Sequence, residues 1–223
     1  MIKAVTLLRR KSGMPVDEFQ HYWRFRHAEV IRRLPGVRRY VQSHPLPVSY
    51  SQGEPVCDGV AELWADTTQD FRAMAQSDAY AAVLVDEQRF IDQGFSILIL
   101  TDEHILREGA VAADGIKQID FILHKEGMDI EGFQRYWREV YGPLVAATPQ
   151  LRRYVQSHAR LGGYAKGRTP RYDGFDSSWY DTIDSMQATM ADSAGAESRM
   201  EAANFIAPAG RHSIVTSEYV IYE

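Results

Sequence analysis

Seven residues, Arg38-Arg39-Tyr40-Val41-Gln42-Ser43-His44, recur unchanged as Arg152-Arg153-Tyr154-Val155-Gln156-Ser157-His158. The offset of 114 runs without a gap back to Ile2-Lys3 and Ile116-Lys117, and 18 of the 43 residues from 2 to 44 equal their partner. Past the next loop the offset is 115: Asp58-Gly59 answers Asp173-Gly174, Trp64 answers Trp179, and Phe90-Ile91 answers Phe205-Ile206. Two copies make a duplicated domain and are too few for a solenoid. The chain must therefore fold as two like halves, 1–107 and 116–223, joined by a short Gly/Ala-rich linker.

Within one copy, residues 2–9 read as a strand, and a helix begins at Pro15 with Asp17 and Glu18 in its first turn and stops before Pro35-Gly36. A strand over 37–44, a proline-bearing loop, a strand over 58–64, helical stretches from Thr68 to Phe90 and a strand over 96–101 follow. That order, βαββαβ, is the ferredoxin-like one and predicts an α+β fold. Two helices cover one face of each four-stranded sheet and leave the other face in need of a partner. The second copy supplies it. Two such sheets face to face give an eight-stranded barrel with an interior able to hold one small ligand. The barrel is complete within a monomer, so a homodimer has no motive in the sequence.

A net charge of -5 and a pI near 5.8, with no lysine-rich run, argue against a nucleic-acid partner. No apolar run reaches the ~18 residues of a membrane span, and the N-terminus enters a strand pattern at once without leader features, so a cytoplasmic protein is expected. Cys57 is the single cysteine, which leaves no intrachain disulfide or thiolate cluster. No zinc-peptidase, phosphate-loop or hydrolase-elbow motif is present, and no metal or other cofactor is expected.

Alternation places Arg38, Tyr40, Gln42 and His44 on one strand face, and Tyr154, Gln156 and His158 likewise. A phenol, an amide and an imidazole in a row suit proton transfer; they also suit a set of side chains that only bond one another. In the first strand of the second copy, Asp120 and His124 share a face opposite Lys117, Ile119 and Phe121. Taking the latter set as helix-facing puts Asp120 and His124 in the barrel cavity, each the natural partner of the other. Copy one has Thr6 and Arg10 at those places, and copy two adds Asp176 and Ser177 to a strand that is largely apolar in copy one. The chemistry is therefore expected in copy two, with His158, Tyr154 and Asp120 catalytic and His44 and Tyr40 as their counterparts. Gln42, Gln156, His124, Asp176, Trp64 and Trp179 are expected to bind substrate, and the loop 162–167 to lie over the pocket mouth.

The pattern Leu7-Leu8-Arg9-Arg10-Lys11, Phe19, Tyr22-Trp23-Arg24, His27, Leu34-Pro35-Gly36, the Arg38 to His44 strand and Asp58-Gly59-Val60-Ala61-Glu62-Leu63-Trp64 resembles the EthD family of dimeric α/β-barrel proteins. The resemblance covers nearly the whole chain, once per half. It implies the fused barrel and a small-molecule cavity. It also implies kinship with cofactor-independent monooxygenases, muconolactone isomerases, polyketide cyclases and dehydratases, and haem-degrading enzymes. The family's His-x-Pro-Leu is split here: copy one keeps His27 without Pro-Leu, and copy two keeps Gly142-Pro143-Leu144 with Tyr141 in the histidine's place. By resemblance, His27 and Tyr141 join the substrate-binding set. The function expected is that of a cofactor-independent lyase or isomerase, of dehydratase or cyclase type, acting on a small aromatic, lactone or polyketide-like molecule. A non-catalytic small-molecule binder and a cofactor-free monooxygenase are the alternatives.

Overall fold

The computed structural model describes residues 1–223, the side chains at 166, 167, 190, 191 and 194 excepted. The first half runs β1 (Ile2–Arg10), α1 (Val16–Tyr22), a π-helical turn (Trp23–His27), α2 (Ala28–Ile31), β2 (Arg39–Pro45), β3 (Gly59–Ala65), α3 (Thr68–Ala75), α4 (Asp78–Glu87) and β4 (Ile91–Arg107). The second repeats it as β5 (Ile116–His124), α5 (Ile130–Tyr136), a π-helical turn (Trp137–Tyr141), α6 (Gly142–Ala146), β6 (Arg153–Ala159), β7 (Gly174–Tyr180), α7 (Ile183–Ala191), α8 (Ser193–Phe205) and β8 (Ile206–Tyr222). Among the described residues no helix is long and apolar enough to cross a membrane.

The eight strands close into one antiparallel barrel in the order β1-β3-β2-β8-β5-β7-β6-β4. Two seams join the halves, β2 with β8 and β4 with β6. The last strand of each half, predicted to be short, is 17 residues long because it serves both sheets: β4 pairs with β1 up to Thr101 and with β6 from Thr101 onward.

The strand faces are the reverse of the sequence expectation. Val5, Leu7, Val60, Ile99, Ile119, Phe121, Phe175 and Ile214 pack inside the barrel, whereas Ala4, Leu8, Tyr40 and Ala61 pack outward against Phe19, Trp23, Phe71 and Met74 of the helices. Asp120 and its neighbours Gln118 and Ile122 therefore face the helices, not the barrel interior. Lys3 and Lys117, both buried, point inward and meet at Glu62, with Glu103 and Glu218 completing the set. The two lysines hold the Glu62 carboxyl down at about 2 against the opposing effect of burial. This network and the aromatic cluster pack into the barrel interior, where the sequence predicts a ligand space.

The repeated heptapeptide holds the π-helical turns. Gln42 Nε2 donates to the Trp23 carbonyl (3.0 Å) and to the Tyr40 hydroxyl (2.8 Å), His44 Nε2 donates to Gln42 Oε1 (2.9 Å), and the His44 ring stacks on Trp23 at 4.5 Å. Gln156, Tyr154, His158 and Trp137 repeat this latch, with stacking at 4.4 Å. The second invariant pair, Asp-Gly, follows from the same packing: a Cβ on Gly59 would stand 2.4 Å from the Trp23 ring, and one on Gly174 2.7 Å from Trp137.

Candidate functional site

Each half has a cavity between the outer sheet face and its helices, in equivalent places and with opposite chemistry. The copy-one cavity has a volume of about 1020 Å³ and is walled by residues such as Ala4, Leu8, Leu34, Ala61, Leu63 and Phe71. The copy-two cavity is about 300 Å³ and is walled by Gln118, Asp120, Thr148, Asp176, Ser178, Arg211 and Ser213. The offsets pair Ala4 with Gln118, Thr6 with Asp120, Ala61 with Asp176, Leu63 with Ser178, Ser96 with Arg211 and Leu98 with Ser213.

In the large cavity the π-helical turn delivers His27. Its Nδ1 lies 2.9 Å from Asp86 Oδ2, and the Tyr22 hydroxyl donates to Asp86 Oδ1 at 2.7 Å. A carboxylate on Nδ1 makes that nitrogen the donor, so in the neutral ring Nε2 carries the lone pair. Nε2 makes no hydrogen bond among the described residues, and the ring lines the cavity. Burial holds the His27 pKa below its ordinary value despite the opposing pull of Asp86. The ring is thus neutral at pH 7 and able to take a proton. Glu87 lines the same cavity and is pushed up to about 7 by burial and by the adjacent Asp86 charge. Tyr40 completes the polar set; its hydroxyl accepts from Trp23 Nε1 at 3.0 Å, and burial raises its pKa.

In the small cavity Asp120 is held by Arg211 (2.6 Å) and Gln118 (3.0 Å) and accepts from Ser213. The arginine keeps Asp120 ionised, whereas burial and the Asp120 charge raise the neighbouring Asp176 well above the ordinary carboxylate range. Tyr154 donates to Asp176 at 3.3 Å, and the buried Trp137 Nε1 lacks, among the described residues, the partner that Trp23 has. Tyr141 stands where His27 stands in copy one and meets Arg211 at 3.5 Å.

Of the residues singled out by sequence, Asp120, Asp176, Tyr154 and Tyr141 come together in copy two, and His27 and Tyr40 in copy one. His44, His158, Gln42 and Gln156 are tied up in the latches and line neither cavity. Burial holds both latch histidines at about 3, so they are neutral. His124 is not the partner of Asp120: its Nδ1 lies 2.7 Å from Asp173, repeating the ion pair of Arg10 with Asp58. Trp64 and Trp179 cap the charged network inside the barrel, their indoles bonding Glu103 and Glu218. Ser177 belongs to a strand face away from Asp176. Of the loop 162–167, Gly162 and Gly163 line the copy-one cavity, and the side chains at 166 and 167 lie outside the described residues. Sequence reading missed Asp86, Glu87 and Arg211. Arg211 had a signal, since a charged side chain stands there in place of Ser96 of a strand that copy one keeps largely apolar.

The sequence profile of the EthD domain matches the chain twice, over residues 11–94 and 125–209. No curated protein matches. Among solved structures, an anthrone oxidase-like protein is 9% identical, with a TM-score of 0.66, covering 100% of this chain and 94% of that one. A proposed monooxygenase from Fusobacterium nucleatum subsp. nucleatum is 10% identical, with a TM-score of 0.61 over 99% of this chain and 92% of its own. A mutant chlorite dismutase from Candidatus Nitrospira defluvii is 8% identical, with a TM-score of 0.56 over 97% and 90%. At these identities the likeness is one of fold, the dimeric α/β barrel. With both halves matched, the chain belongs to the EthD domain family as a tandem pair in one polypeptide.

Proposed function

We propose that the chain is a cofactor-independent enzyme that removes and returns a proton on a small aromatic, lactone or polyketide-like molecule bound in the copy-one cavity. The observation that carries this reading is the His27–Asp86 pair in the wall of the larger, apolar cavity. Asp86 fixes the tautomer and stabilises the imidazolium that forms, and Tyr22 fixes Asp86. His27 Nε2 takes a proton from a carbon made acidic by a neighbouring carbonyl. Tyr40 and Glu87 are the acids on the same cavity wall able to stabilise the oxygen charge or return the proton. Returned to another carbon, the proton completes an isomerisation; expulsion of a leaving group completes an elimination. The oxygenase alternative requires the same carbanion to meet dioxygen. This reading moves the chemistry from copy two, where the charged substitutions pointed, to copy one.

Deuterium uptake from D2O by a panel of anthrones, aromatic ketones and unsaturated lactones, followed by mass spectrometry, tests it without knowing the product. The wild-type protein should accelerate exchange for a member it binds, and His27→Gln should lower that rate about 10²- to 10⁴-fold. Binding without accelerated exchange would make the protein a carrier. Oxygen uptake with the same compound would select the oxygenase branch.

A further inference from the structure

Each half sends the residue that leaves its second strand across the seam to the other half. Leu46 donates its backbone N–H to Val215 at 2.8 Å and packs among Ile116, Tyr154, Ile183 and Met186 of copy two. Its counterpart 114 residues on is Arg160, which donates its N–H to Leu100, the counterpart of Val215, at 3.0 Å. The Arg160 side chain lines the copy-one cavity, and Nη1 donates to Thr68, the counterpart of Ile183, at 3.2 Å. One backbone geometry thus adds a leucine to the apolar core of copy two and a guanidinium to the cavity wall of copy one.

Arg160 has company. Arg72, one turn beyond Thr68, and Arg168 line the same cavity. Among the described residues Arg72 makes no ion pair, and the Arg168 side chain bonds only the carbonyls of Ala165 and Gly162. Arg160 itself is paired at 3.4 Å with Asp102, whose side chain is half exposed, a contact that water already screens. The opposing carboxyl in the lining is Glu87, next in sequence to the Asp86 of the histidine pair. Arg160 is anchored beside Leu100, across from Ala4, while His27 packs on Phe90, whose neighbour Ile91 lies across from Arg10. Six residues of strand, about 20 Å, separate the two ends.

We propose that this cavity takes an elongated molecule with an apolar body and a carboxylate head, and that Arg160, brought in from the second copy, reads the head while the body lies toward His27. A guanidinium matches a carboxylate in charge and in fork geometry. The proposal rests on the copy-one cavity being the ligand site.

Fluorescence titration with anthracene-2-carboxylate and with its neutral carboxamide separates the two ideas. The wild-type chain should bind the acid about tenfold or more tightly than the amide, the scale of a hydrogen bond to a charged group. Arg160→Leu, which installs the residue that serves copy two, should bring the two affinities together by weakening the acid far more than the amide; Leu63→Trp, which fills the cavity, should weaken both. Equal binding of acid and amide to the wild type overturns the head-group assignment and leaves the cavity reading standing. A preference for the acid that survives Arg160→Leu also overturns the assignment. Binding of neither probe, or binding indifferent to Leu63→Trp, overturns the cavity reading along with it.

Discussion

The two cavities occupy the same place in two copies of one fold, yet one is wide and apolar and the other narrow and charged. The difference arises at a few outward-facing strand positions: where copy one has Thr6, Ala61, Ser96 and Leu98, copy two has Asp120, Asp176, Arg211 and Ser213. Ala61 and Ser96 leave volume that Asp176 and Arg211 occupy in copy two, where Arg211 pairs with Asp120. The latch of Tyr, Gln and His on the π-helical turn is common to both, so the duplicated motif supports the wall of each cavity and does not choose between them. Charge accumulation in copy two goes with a cavity narrowed by its own side chains, while the wider cavity of copy one has His27 in its wall.

The sharpest way to break this comparison is substitution at the position of the turn where His27 of copy one answers Tyr141 of copy two. His27→Gln should reduce turnover about 10²- to 10⁴-fold, and Tyr141→Phe should leave it within a factor of two, as read from initial rates. Equal losses would show that the halves act together.

Stability separates them next. Arg211→Met strips the buried Asp120 of its cation and should cost about 3 kcal/mol or more in urea unfolding, while Ser96→Ala at the equivalent place in copy one should cost under about 1 kcal/mol.

A smaller effect checks what the halves share. The latch histidines are held at about 3 in the folded state against an ordinary value near 6.5. Between those values the unfolded chain binds protons that the native one does not, so stability rises with pH across that window and falls on acidification below about 6.5. Each histidine should contribute up to about 1.4 kcal/mol per pH unit, and His44→Gln and His158→Gln should each remove one such share. A slope lost in only one variant would show that the latches differ.

The pH profile of turnover sharpens the roles in copy one. His27, lowered by burial, gives an acid limb below about 6.5, where protonation abolishes the base. Glu87, at about 7, gives an alkaline limb if it returns the proton. Glu87→Gln should remove that limb and keep the acid one.

The barrel was legible in the sequence because the duplication, the βαββαβ order and the EthD-like motifs all point to one fold. The strand faces were not, because the apolar set Ile119 and Phe121 reads from sequence as helix-facing core as readily as barrel interior. Lys3 and Lys117 are tolerated there through Glu62, 59 and 55 residues away, a partnership no local pattern reveals. The same limit hid the His27–Asp86 pair, whose members are 59 residues apart. A strand of buried polar residues reads alike from sequence whether it lines a wet cavity or satisfies itself. Asp120 does the latter, through Arg211, Gln118 and Ser213.

The central claim is that the working cavity is that of copy one. A crystal structure of the chain with anthracene-2-carboxylate tests it most directly. The account predicts the ligand between the copy-one sheet and its helices, its body toward His27 and its carboxylate at Arg160; a ligand seated beside Asp120 and Asp176 in copy two, or inside the barrel, would contradict it.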